Sequence, residues 1–118
     1  MNIPNELKHK VINNEKLSKY EINLFLDYII HKSLYITSHM YNKKYPPIFL
    51  LYEICWSYNI DVEQNNINNR YFAIIELNNK KYILDPSFNN KKLDILFKNK
   101  YIEYTKDNYE KYINLLGV

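Results

Sequence analysis

Apolar and polar residues along this chain fall into runs of two different periods. After Ser18, the residues Ile22, Phe25, Leu26, Ile29, Ile36 and Met40 recur at the spacing of one α-helical face. Ser18, with Glu21 three positions on, forms a capping box, so a helix is predicted over 19–41. A shorter helix over 3–12 would place Ile3, Leu7 and Val11 on one side. Pro46 and Pro47 suit a first helical turn. The stretch that follows, "PPIFLLYEICWSYNI", is apolar nearly all round, with only Glu53 and Ser57 drawing a polar line. Such a helix belongs at the centre of a domain.

The period then shortens to two. Tyr71, Ala73, Ile75 and Leu77 alternate against Phe72 and Ile74, which predicts a strand over 70–77. Asn78 and Asn79 tolerate positive φ and suit a primed hairpin turn. The second strand, over 80–85, stops at Pro86, which has no N–H to give a ladder. "VEQNNINNR" ahead of the hairpin is mostly polar and reads as a loop. "KKLDILF" and "KYIEYT" are expected to add one or two more strands. Tyr109, Tyr112, Ile113 and Leu116 restore the helical spacing, and Gly117 marks its stop. The expected fold is α+β, one domain over 1–118. N-terminal helices and a buried central helix pack on a small antiparallel sheet, and a C-terminal helix completes the domain.

Composition adds little to this picture except by exclusion. With 118 residues the chain can bury one core without covalent staples. Asn, Lys, Ile and Tyr crowd it, the signature of an AT-rich genome, and a single glycine rules out a Gly-rich phosphate loop. Net charge is +3 with only one arginine, Arg70, a mild imbalance for a nucleic-acid binder. The lone Cys55 excludes an internal disulfide and a CxxC metal pattern. There is no leader-like apolar region at the start and no apolar run of about 18–20 residues to span a membrane. A cytoplasmic protein without cofactor or metal is expected.

The hairpin carries the most specific signal. In "FAIIEL" (72–77) followed by "YILDPSF" (82–88), the chain resembles the transglutaminase-like branch of the papain-like cysteine enzymes. There a strand reading "HAWVEV" opens on the catalytic histidine, and the next strand ends on aspartate in a "DPT" or "DPS" pattern. Ala73, Glu76 and Asp85 fall in register with those motifs. Phe72 stands where the resemblance places the histidine. Lys44, Tyr45 and Pro46 stand where the nucleophilic cysteine would head the central helix. A triad acts as a unit, so Asp85 by itself supplies no catalysis, and an aspartate before proline is expected to cap its own turn. The resemblance therefore implies a scaffold that has lost its chemistry.

Three functions follow as expectations. The first is a non-enzymatic module that binds another protein through tyrosine-rich surface, in an accessory or inhibitory role for a mobile element. Lys43, Lys44, Tyr45, Arg70, Lys80 and Lys81 are its candidate contact residues. The second is a rearranged thiol enzyme, peptidase or acyl transferase, using Cys55 with His31 or His39 and Asp85. Against it, Cys55 lies late in its helix on a core-like face, and every histidine precedes it. The third is a weak nucleic-acid binder using Lys and Tyr. His31 and His39 are eight residues apart, too far along one helix to share a metal ion. A homo-oligomer through the free edge of the second strand is the remaining expectation.

Overall fold

A computed structural model describes residues 2–40, 46–88 and 90–117 of the chain. Its elements run α1 (Asn5–Ile12), α2 (Lys19–Met40), α3 (Pro47–Ser57), β1 (Val62–Ile67), β2 (Arg70–Leu77) and β3 (Lys80–Leu84). They continue as α4 (Lys91–Leu96), β4 (Tyr101–Glu103) and α5 (Lys106–Leu115). The α+β class is confirmed. The four strands form one antiparallel meander in the order β1-β2-β3-β4.

The capping box forms as expected. Glu21 N–H donates to Ser18 Oγ at 3.1 Å, and Ser18 N–H donates to Glu21 Oε1 at 2.9 Å. The end of α2 expected at Tyr41 lies outside the described residues. At the far end of the chain Thr105 caps α5 through Asn108 N–H, and Gly117 follows it with φ of 80°.

Two expectations are corrected. The polar loop over 62–70 is largely a strand: β1 pairs in register with β2, from Val62 with Ile75 to Ile67 with Arg70. As an edge strand with an exposed outer side it needs no apolar alternation. Asn68 and Asn69, with φ of 53° and 64°, make its turn as Asn78 and Asn79 make the next. The segment "KKLDILF" is not a strand but α4. Asn90 accepts from Lys92 N–H at 2.9 Å as its N-cap, and Leu93 and Phe97, spaced i and i+4, point into the core. "KYIEYT" does give the edge strand β4.

The sheet is covered on both faces. Ala73, Ile75, Leu77, Tyr82 and Leu84 point to α1, α2 and α3 in one core. Phe72, Ile74 and Ile83 point the other way, into a second core with Phe88, Leu93, Phe97 and Tyr112. Both side-chain rows of β2 are thus buried, which explains why its alternation is of apolar with apolar. The second strand of the hairpin is no free edge, because β4 covers it; the outer strands are β1 and β4.

Helix α3 is central but not fully enclosed. Ile48, Leu51, Tyr52, Ile54 and Cys55 are buried, whereas Glu53, Trp56 and Ser57 are exposed and Phe49 is half-buried. Phe49, Glu53 and Trp56 stand at i, i+4 and i+7, one line along the outer side of the helix.

Candidate functional site

Asp85 emerges from the end of β3 onto the second face of the sheet and is wholly buried. The register pairs Ala73 with Leu84, so Phe72 and Asp85 are the next residues along their two strands. A phenyl ring thus stands beside the carboxylate on this face. Asp85 is instead held by three donors. Arg70 Nε reaches Oδ2 at 2.9 Å, the Tyr112 hydroxyl donates to the same oxygen at 2.5 Å, and Ser87 N–H donates to Oδ1 at 3.3 Å. The last is the turn-capping role expected of aspartate before proline. The guanidinium also lies 6.0 Å from the Phe88 ring centre.

Electrostatics fix the charge states of Tyr112 and Arg70. Burial, then the charge of Asp85 and the hydrogen bond to it, push the Tyr112 phenol far up, so it remains a donor. Burial lowers the Arg70 pKa, but the hydrogen bond to Asp85 and its charge outweigh that and raise it. The carboxylate has no imidazole to orient. It neutralises an arginine and ties the sheet to α5, a structural arrangement.

Cys55 lies in the first core, on α3, across the sheet from Asp85. It is 0% exposed, and burial pushes its thiol up to about 12. His39 and His31 are both exposed on α2. The His39 ring stacks on Tyr35 at 4.1 Å, and its Nδ1 lies 2.9 Å from the Tyr35 carbonyl. The structure therefore does not bring Cys55, His39 and Asp85 together. Among the described residues no group of His, Cys, Asp or Glu could hold a metal ion, and no helix is long and apolar enough to cross a membrane.

Alkylation should report this burial directly. At neutral pH the folded protein is expected to react at Cys55 at least about a thousandfold more slowly than the urea-unfolded chain. The thiol's contribution to stability is full below its unfolded value of about 8.5, and declines as pH rises from there towards the folded value. Rapid labelling of the folded protein at pH 7 would contradict the burial.

The candidate contact residues separate. Lys43, Lys44 and Tyr45 lie outside the described residues. Arg70 is committed to Asp85. Lys81 stands on the second face opposite Glu76, and Lys80 on the first. Lys80 instead joins Lys16 and Lys19 around a groove between the start of α2 and the β3–β4 side of the sheet.

A second surface has the opposite character. The Phe49 ring meets Tyr71 at 5.3 Å and Tyr52 at 6.1 Å, and Tyr52 meets Trp56 at 6.3 Å. Trp56 is 50% exposed, Tyr71 40% and Phe49 half-buried, so these three present aromatic surface across α3 and β2, with the buried Tyr52 packed behind them. Glu53 stands in the same line. The signal for it is present in the sequence: residues 46–69 contain Glu53, Asp61 and Glu63 but no Lys, Arg or His. In a chain with net charge +3 that stretch is a local reversal of sign.

No family model, curated protein or solved structure matches the chain. The reading of function rests on these residues alone.

Proposed function

We propose that the chain is a non-enzymatic protein-binding module on a transglutaminase-like scaffold without catalytic cysteine and histidine. It acts in the cytoplasm, in an accessory or inhibitory role. The observation that carries this reading is the surface formed by Tyr71, Phe49 and Trp56, backed by the buried Tyr52 and with Glu53 beside it. Aromatic side chains present large contact area at low entropic cost and dominate the energetics of many interfaces. A carboxylate among aromatic faces selects a cation, through an ion pair at Glu53 and cation–π contact with Trp56 or Tyr71. The partner is therefore a protein that presents an apolar segment bearing Lys or Arg. The outer edge of β1, unpaired among the described residues, offers Gln64 and Asn66 on the same face of the sheet and borders this surface.

Quantitative co-purification from native extract tests the reading. A partner retained by the wild-type chain is expected to be depleted more than about tenfold by Trp56→Ala with Glu53→Lys, as truncation of an interface anchor requires. It should be unaffected by Lys91→Ala with Lys92→Ala on α4. Equal recovery with the α3 variant would overturn the reading.

A further inference from the structure

The groove at the start of α2 is built on a fixed frame. The Leu17 N–H donates to Asn78 Oδ1, and Asn78 Nδ2 donates to the Glu15 carbonyl at 3.1 Å. The hairpin turn is thereby fastened to the α1–α2 connection, and the two walls of the groove hold a set separation. Its volume is about 690 Å³, within the range of small-molecule sites. Lys16, Lys19 and Lys80 line it together with Tyr82, Tyr101 and one carboxylate, Glu103.

Three ammonium groups facing one carboxylate leave an excess of positive charge. Among the described residues the ion pairs are Lys10 with Glu21, Arg70 with Asp85 and Lys111 with Asp107, so none of the three groove lysines is neutralised. Three like charges around a single carboxylate still repel one another, and a bound anion would relieve that repulsion. Tyr82 and Tyr101 remain neutral, and the Tyr101 hydroxyl already donates to Asn23 Oδ1 at 3.4 Å. Burial, then the charge of Glu103, raises the Tyr82 pKa, and burial, then the charge of Asp27, raises that of Tyr101. Leu17 and Ile22 supply an apolar patch beside them.

We infer that this groove binds a compact ligand carrying two or more phosphate groups, held by Lys16, Lys19 and Lys80. Lysine favours phosphate as a point charge, whereas a planar carboxylate is better met by the arginine fork that the groove lacks. The compact form follows from where the other lysines lie. Among the described residues, Lys81 is on the opposite face of the sheet and Lys91 and Lys92 are on α4, so these lysines do not extend the groove into a basic track for a strand of nucleic acid.

The test is a titration of the full ¹⁵N-labelled chain with ADP and, separately, with inorganic pyrophosphate. Saturable shifts are expected at Lys16, Lys19, Lys80, Asn23 and Tyr101. The Lys16→Ala, Lys19→Ala, Lys80→Ala triple variant should weaken binding by about tenfold or more. These three side chains are exposed, so the variant keeps its fold. The triple variant Lys91→Ala, Lys92→Ala, Lys98→Ala should bind as the wild type does. An absence of saturable shifts up to about 1 mM of either probe would overturn the inference. So would equal weakening in both triple variants. A single-stranded oligonucleotide of about twelve residues forms the third arm. Binding of the oligonucleotide alone, lost between roughly 50 and 200 mM salt, would replace the compact ligand with a nucleic-acid backbone.

Discussion

Asp85→Ala is expected to destabilise the protein by about 3–5 kcal/mol, a large share of the roughly 5–15 kcal/mol that holds a domain of this size folded. The loss arises mainly from what remains behind. Arg70 keeps a guanidinium whose Nη2 is already buried without a hydrogen-bond partner among the described residues, and the Tyr112 hydroxyl loses its acceptor Asp85 Oδ2. Leaving buried donors unmatched is more costly than the intact bonds are worth. Asp85→Asn separates shape from charge, because the amide oxygen still accepts from one donor while the ion pair is gone. Its cost should fall between those of the alanine variant and the wild type. Urea unfolding at pH 7 measures both. A cost below about 1 kcal/mol for the alanine variant would mean that Arg70 swings out to water, as exposed pairs allow.

Tyr112→Ala should have an effect of similar size, about 3–5 kcal/mol, for a different reason. Its ring is fully buried and meets Phe72 and Phe97 edge-on, each at 5.0 Å between centres. Removing it opens a cavity between the sheet and α5, in the middle of the second core. Tyr112→Phe keeps the ring and withdraws only the hydroxyl, so it should cost about 1–3 kcal/mol. The Asp85 and Tyr112 variants share one hydrogen bond, and their combined cost should fall short of the sum of the two. An additive double variant would show that the hydroxyl and the carboxylate do not act together.

The sequence disclosed most where period and punctuation agreed. The capping box fixed the start of α2, the apolar run placed α3, and the Asn78–Asn79 turn set the central hairpin. It misled where tertiary position outweighed local pattern. β1 is polar because it is an edge strand, and its turn, Asn68–Asn69, carries the same signal as the one read correctly ten residues later. In "KKLDILF" the apolar residues fit either period, and the Asn90 cap decides for a helix. At the candidate site, Asp85 was legible as a turn residue, but its partners were not. Arg70 is brought to it by strand register, and Tyr112 by the return of α5, and neither is local in sequence.

The two cores also close at different times. Apart from the half-buried Tyr101, the first core is complete with Leu84, whereas the second waits for Phe88, Leu93, Phe97 and finally Tyr112. During synthesis, then, the helical layer and the hairpin leave the ribosome while one side of the sheet is still bare. Domains take shape from the N-terminus as they are made, and apolar surface exposed along the way invites aggregation. Phe72, Ile74 and Ile83 pass through that interval uncovered, and Asp85 passes through it with Arg70 as its sole charge partner. The last turns of the chain act as the closing piece, and a nascent protein halted before them would present a chaperone with its most apolar strand.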